Sequence, residues 1–266
     1  MIALTVLAPP EDQFRAPTPD ELFNSFTPII PGVDWFTKPV LLAILSAVLV
    51  VGFCWAAFAN PKVVPRGVQN VAEYGYMFVR DQVARPFLGK DADRWMGLLL
   101  TLFFLVLVWN LMGVVPVLQF PVASHIAFPI VLAGSIYVLK VYLGMKHQGP
   151  IGYFKNLMFP PGLPKPIYLL LSPIEFLSNL IIAPFTHAVR LFANMFAGHM
   201  LLAFFSMVGF WFLFEKLTPL GAGVGVIGVV MTIIFTAFEM FIQFLQAFLF
   251  AMLASMYIGG SLHAEH

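Results

Sequence analysis

The sequence predicts an all-α integral membrane protein with five membrane helices and an amphipathic helix beside them. Three observations carry that reading. The 266 residues are 60% hydrophobic and 10% charged, with a mean hydropathy of +0.90, whereas a soluble globular domain is about 25% charged. Several apolar runs exceed the roughly 18 residues a helix needs to cross a bilayer. Alternating segments of about ten residues, the mark of a transmembrane β-barrel, are absent from the sequence.

Residues 1–37 are polar, with Glu11, Asp12, Asp20, Glu21 and Asp34 against Arg15, and read as an extramembrane tail. The opening "MIALTVLAPPEDQFR" has too short an apolar stretch and no basic leader, so it is a poor signal peptide. The first span is 38–60, "KPVLLAILSAVLVVGFCWAAFAN", which suits a hydrocarbon core of about 30 Å. Residues 61–94 form a basic loop in which Val68, Val71 and Phe78 recur at roughly helical spacing. That pattern predicts an amphipathic helix, either along the membrane surface or as an ordinary loop helix. Residues 95–145 read as a hairpin of spans 95–117 and 125–145, joined around "QFPVAS". Residues 146–166 are a second basic loop.

The last part, 167–259, holds two apolar stretches, 167–214 and 219–259, each about twice a normal span. Pro173 and Pro184 are candidate breaks in the first. No polar turn cluster interrupts either stretch, which favours two very long, tilted, antiparallel helices over four short spans. The segment "EKLTPLGAGVGVIG" reads as the turn between them. Residues 260–266 form a short tail. Lys62, Arg66, Arg80, Arg85, Lys90 and Arg94 flank the first loop, and Lys146, Lys155 and Lys165 the second. By the positive-inside rule both loops are cytoplasmic, which puts the N-terminus outside and the C-terminus inside.

The net charge of +1 gives no case for nucleic acid. The single Cys54 excludes an intrachain disulfide and a multi-thiolate metal site; small-residue packing is its expected role. No phosphate-binding loop, HExxH pair or nucleophile elbow is present, and no cofactor or metal is expected.

Ionisable residues at membrane depth are costly and mark function. Here they are Glu175, His187, Arg190, His199 and Glu239, with Ser178, Asn179, Asn194, Thr232, Thr236, Gln243 and Gln246 as uncharged companions. An arginine at a helix centre costs roughly 2.5–3.5 kcal/mol. Arg190 lies 23 residues from position 167 and 24 from position 214, too far from either end to snorkel. Asn194, four residues on, shares its face. His199, nine residues on, points to the opposite side about 13 Å further along the axis. Thr232, Thr236, Glu239, Gln243 and Gln246 repeat at steps of four and three, one polar stripe on an apolar helix. Antiparallel packing puts Glu239 with His199 on the outward side and Gln246 nearer Arg190. Glu175, with Ser178 and Asn179, lies on the cytoplasmic side. His and Glu relay protons, and arginine does not lose its own. Two polar zones with a fixed cation between them therefore describe a gated proton path. His187, one turn before Arg190, belongs to that path or merely donates to a backbone carbonyl. A haem-ligand reading of His187 and His199 fails on geometry: twelve residues apart, they point about 120° from each other. His147, His263 and His266 are expected to be solvated.

The motifs "WNLMGVVP", "PIEFLSNLI…P…VRLFANMFAGH" and "LQAFLFAMLASMYI" closely resemble subunit a of the F-type ATP synthase, the membrane-embedded stator subunit of bacteria. The resemblance covers most of the chain. It implies a non-catalytic subunit of a bacterial cell membrane that works against a ring of c-type proteolipids. It also implies contact with b-type peripheral stalk subunits, the bilayer and, indirectly, the soluble ATPase sector. In that family the arginine of "RLF.NM", here Arg190, faces a ring carboxylate, makes it give up its proton and bars a leak. Asn194 and Gln246 match polar positions near it, and Glu175 the acidic residue of the cytoplasmic half-channel. Many bacterial members carry Glu where this chain has His199 and His where it has Glu239, so the pair is exchanged here and is expected to act together across the helices. A self-contained secondary transporter is the rival reading, but it would show an internal repeat with broken helices in both halves. An intramembrane hydrolase would need a Ser–His or paired-Asp site, and the spans contain no Asp for the latter.

Overall fold

Inside a bilayer a helix is the simplest way for an apolar chain to satisfy its own backbone hydrogen bonds. The computed structural model, which describes residues 14–23, 28–30, 32–115, 120–159, 165–216 and 218–262, is built from helices. Five of them are long and apolar enough to cross a membrane: Lys38–Phe58, Val68–Leu111, Ala127–Gln148, Leu170–Glu215 and Pro219–Leu262. His263 and His266 lie outside the described residues.

A short helix α1 (Pro19–Phe23) opens the described chain. It starts at a capping box, in which the Thr18 N–H donates to Glu21 Oε2 at 2.9 Å. Helix α2 (Lys38–Phe58) is the first span, two residues shorter than expected. Helices α3 (Val68–Phe78) and α4 (Arg85–Leu88) run on through a π-helical stretch, Val79–Ala84, just ahead of Pro86. This is the amphipathic segment of the first basic loop. Val79, Val83, Ala84 and Leu88 are fully buried against the bundle, while Val68, Val71, Tyr74 and Met77 form an exposed apolar stripe at its start. On the polar side Arg80 pairs with Asp93 at 2.8 Å, and Arg85 with Asp81 at 2.7 Å.

Helix α5 (Ala92–Leu111) ends six residues before the expected boundary, in a turn over residues 112–115. Helix α6 (Ala127–Gln148) follows. The second basic loop is itself mostly helical. Gly149 adopts φ +72°, which stops α6 and lets α7 (Pro150–Met158) start with proline at its first position.

The two terminal stretches are each one long helix. In the first, α8 (Lys165–Leu177) and α9 (Ala183–Phe210) are continuous through a π-helical turn, Ser178–Ile182. Neither Pro173 nor Pro184 breaks it. The second is α10 (Pro219–Leu262). The turn between them is shorter than the sequence suggests. A π-helical stretch, Trp211–Glu215, continues α9 to within three residues of α10, and the glycines of "GAGVGVIG" are the first turns of α10. The Gly221 N–H donates to the Thr218 hydroxyl at 3.0 Å, so Thr218 caps the helix.

Those glycines serve packing. Lipid is as apolar as leucine, so helices associate in it through close backbone contact at small residues. A Cβ on Gly228 would lie 2.6 Å from the backbone nitrogen of Gly209 on α9. Further along the same seam, a Cβ on Gly198 would lie 3.1 Å from the Glu239 carboxyl carbon. The α9–α10 pair is buttressed by α5, α6 and the π-helical stretch of the first loop. Leu99, Val106, Ala188, Leu191, Met195, Ala247, Phe250 and Ile258 form one buried cluster there. Trp109 of α5 donates to Ser46 of α2 at 2.7 Å, tying the first span to this core.

Because backbone cannot yield as a side chain can, Gly228→Ala is expected to pry α9 from α10. We expect a loss of about 1–3 kcal/mol, the usual cost of overpacking, seen as a lower thermal unfolding midpoint. Gly223→Ala, where a Cβ meets nothing within 4 Å, should leave the midpoint in place.

Candidate functional site

Arg190 sits on the outer face of α9, exposed, on the line of exposed residues 186, 190, 193, 197 and 201. Ala193 and Ala197 flank it, so the guanidinium stands over a shallow, small-residue surface. No ion pair among the described residues includes it. The opposite side of the same turns buries His187, Ala188, Leu191 and Met195. A helix that places one face outward and the other on α10 leaves the arginine without a counter-charge among the described residues.

One turn on, Asn194 Nδ2 donates to Gln246 Oε1 at 2.9 Å, joining α9 to α10. Gln246 belongs to the polar stripe, and the stripe is buried: Glu239 is 5% exposed, Gln243 0% and Gln246 3%. Gln243 Nε2 donates to Glu239 Oε1 at 3.3 Å, and the Gln243 carbonyl accepts from Asn110 Nδ2 of α5 at 3.2 Å. Towards the α9–α10 turn, the Thr236 hydroxyl donates to the Thr232 carbonyl at 2.7 Å. Hydroxyl, carboxyl and amide groups thus run in sequence from Thr232 to Gln246, where the stripe meets the partner of Arg190's neighbour.

Two cavities open on either side of this stripe. One, of about 370 Å³, is lined by His199 and Ser206 of α9, Thr232 and Thr236 of α10, Gly113 and Glu21. The other, of about 460 Å³, is lined by Asn194, Gly198, Leu201, Phe238, Glu239 and Ile242. His199 and Glu239 therefore face different cavities, and no hydrogen bond joins them among the described residues. His199 Nδ1 and Glu239 Oε2 are each buried without a hydrogen-bond partner there. Thr236 lines the first cavity, one turn before Glu239 in the sequence. The histidine thus lies in the chamber beside the turn that follows α5, and the carboxylate over Gly198.

At the other end of the helix, Asn179 Nδ2 donates to Glu175 Oε2 at 2.8 Å. Ser178 and Asn179 begin the π-helical turn, and Pro184 explains why that turn needs help. The Ala183 N–H reaches back five residues to the Ser178 carbonyl. The next amide in that register would serve the Asn179 carbonyl, but position 184 is proline and has no N–H. The hydroxyl of Tyr137 on α6 donates to that carbonyl instead. Asn179 also lines a third cavity, of about 340 Å³, with Lys140, Gln148, Tyr153, Tyr257 and Ser261. The Lys140 ammonium lies between the rings of Tyr137 and Tyr257, at 5.0 and 4.8 Å from their centres.

His187 is 2% exposed, with its ring 4.1 Å from that of Phe250 and 5.9 Å from that of Tyr257. Its Nε2 has no hydrogen-bond partner among the described residues. Cys54 is a free, half-buried thiol on α2. Among the described residues no three His, Cys, Asp or Glu side chains gather as a metal site.

A continuous polar stripe, an unpaired arginine beside it and a chamber toward each end are features of an ion-conducting membrane subunit. A family model described as ATP synthase A chain matches residues 40–259. The chain belongs to the ATP synthase A chain family. It is 48% identical over 235 residues to the ATP synthase subunit a of Streptomyces lividans, spanning 87% of this chain and 81% of that one. It is 44% identical over 262 residues to that of Frankia alni, with 96% and 89% covered. With the Rhodococcus erythropolis protein the identity is 39% over 266 residues, with 99% and 95% covered. As an ATP synthase A chain it is a multi-pass component of the membrane sector, with a part in ATP synthesis and proton transport.

Sequence reasoning passed over four polar side chains that the fold brings to this A chain's polar stripe and chambers. Asn110, fully buried against Gln243, was in view as part of "WNLMGVVP". Tyr137 and Lys140 sit in an ordinary-looking span, and only the tertiary structure sets them beside Asn179. Glu21 lies in the tail.

Tyr137→Phe removes one hydroxyl and leaves the Asn179 carbonyl without its donor. The expected cost is about 1–3 kcal/mol, that of a buried unsatisfied polar group. Faster hydrogen exchange confined to residues 178–186 would report it; unchanged exchange would show that another donor fills the place.

Proposed function

We propose that this chain is the proton-translocating stator subunit of an F-type ATP synthase, with two offset half-paths separated by Arg190. The observation that carries the reading is the exposed Arg190, in no ion pair among the described residues and flanked by Ala193 and Ala197 on its exposed face. A permanent cation facing hydrocarbon is unfavourable by kilocalories. A partner that brings a carboxylate to it removes that penalty, and the rotating ring of c-type proteolipids is such a partner. The guanidinium favours the ionised form of the ring carboxylate and repels a proton moving directly between the half-paths.

Protons arrive through the cavity of His199, Thr232 and Thr236 and reach Glu239. The ring picks them up beside Asn194, Gln243 and Gln246. Release on the other side passes Glu175, Ser178 and Asn179 into the cavity of Tyr257 and Lys140. His187 packs behind Arg190, and its titratable ring contributes to that inner half-path or to the core alone. The membrane potential supplies about 2.3 kcal/mol per charge per 100 mV. The basic loops favour an N-terminus outside and a C-terminus inside a bacterial cell membrane. The exposed stripe of Val68, Val71, Tyr74 and Met77 suits a helix lying at the membrane surface. The b-type stalk subunits hold the chain still against the ring and link it to the soluble ATPase sector; the chain itself catalyses no reaction.

Arg190→Ala in the assembled complex is expected to reduce proton-driven ATP synthesis in membrane vesicles to background. Synthesis that survives this change would overturn the role of Arg190. Glu239→Gln and His199→Ala are each expected to slow synthesis while soluble-sector ATP hydrolysis in detergent continues. Full-rate synthesis in both variants would remove the outward half-path as described.

A further inference from the structure

The outward cavity has a wall that the transmembrane helices do not supply. Glu21 and Leu22 of α1 line it together with His199, Ser206 and Thr236. Some 178 residues of chain separate Glu21 from His199, yet the tail is seated firmly on α9. Phe23, 7% exposed, stacks on Phe196 at 4.8 Å and lies 5.7 Å from the His199 ring. Phe14 packs edge-on against Phe204 at 6.1 Å and Trp211 at 5.8 Å, and tilts against Phe212 at 6.2 Å. Aromatic contacts of this kind add attraction beyond buried area. Residues 14–23 thus form a strap along the outer part of α9, anchored by a ring at each end.

Between the anchors the strap holds a carboxylate in one place. Glu21 Oε2 accepts from the Thr18 N–H at 2.9 Å, and Oε1 pairs with Arg15 at 3.0 Å. The Glu21 side chain is 49% exposed, so it meets the cavity on one side and open space on the other. The Thr18 bond, with Arg15 adding to it, keeps the carboxyl below the ordinary carboxylate range, and it stays ionised near neutral pH. A charge at the rim of a low-dielectric cleft raises the local concentration of the opposite charge inside it.

We propose that residues 14–23 are the outer wall of the proton access path, with Phe23 seating the strap on His199 and Glu21 as the carboxylate at its mouth. This rests on the outward half-path proposed above. The strap then sets how freely protons reach His199, a part that a plain extramembrane tail does not play.

The test uses the assembled complex in sealed vesicles, in a Cys54→Ser background. Glu21→Cys is modified from the outer side with membrane-impermeant methanethiosulfonates of like size, one adding a sulfonate and one a trimethylammonium. The trimethylammonium adduct is expected to lower proton-driven ATP synthesis about tenfold relative to the sulfonate adduct, the lower bound of such focusing effects, and reduction of the mixed disulfide should reverse it. Equal rates for the two adducts, or no labelling from the outer side, would overturn the proposal. Ser206→Cys, deeper in the same cavity, separates the two ideas. If its labelling blocks synthesis while the Glu21→Cys adducts behave alike, the strap proposal fails and the half-path stands. If labelling at neither position affects synthesis, the half-path fails as well, and the strap proposal with it.

Discussion

A guanidinium that finds no anion among the described residues is the constraint around which the rest of this molecule is arranged. Arg190 has to stand on an exposed face, because the inner face of α9 is committed to α10. It stands among small side chains, Ala193 and Ala197, which in our proposal lets a partner group come close. The polar stripe of α10 has to be buried, because a row of carboxyl, amide and hydroxyl groups facing lipid would go unsatisfied. The glycines between the helices let both conditions hold at once. They bring α9 and α10 close enough for Asn194 to reach Gln246 and for Glu239 to lie over Gly198.

The same arrangement separates the two chambers. Glu239 is buried and His199 half-buried on facing helices, and they look into different spaces. In our proposal a proton passing from one to the other follows the stripe rather than jumping across it. The serial order from Thr232 to Gln246 thus has more mechanistic weight in our proposal than any one pair. On the far side, the Glu175–Asn179 bond and the cavity beyond it play the matching part, at about 22 Å along the helix from the level of Arg190 at 1.5 Å per residue.

Much of this was legible in the sequence because it is local. Run length set the five spans, and helical spacing put Arg190 with Asn194, and Thr232 through Gln246, on single faces. What escaped was contact between distant segments. The tail looked merely acidic, since nothing in "TPDELF" says that its phenylalanine will meet a histidine far along the chain. The glycines after Thr218 looked like a turn because composition does not distinguish a flexible glycine from one that admits a neighbouring backbone. The roles of Tyr137 and Lys140 depend on how α6 meets the π-helical turn and α10, which periodicity does not carry.

The π-helical turn at Ser178–Ile182 has one more consequence. Each residue of an α-helix advances the side-chain direction by about 100°, and a single wide turn of this kind slips one extra residue into the count. The turn therefore acts as a phase shifter. It rotates everything on its α8 side, Glu175 included, by about 100° relative to an unbroken helix, while leaving the direction of the axis nearly unchanged. Two sets of polar groups on one continuous rod are thereby aimed to different compass points, and a proline with a single tyrosine hydroxyl holds the setting.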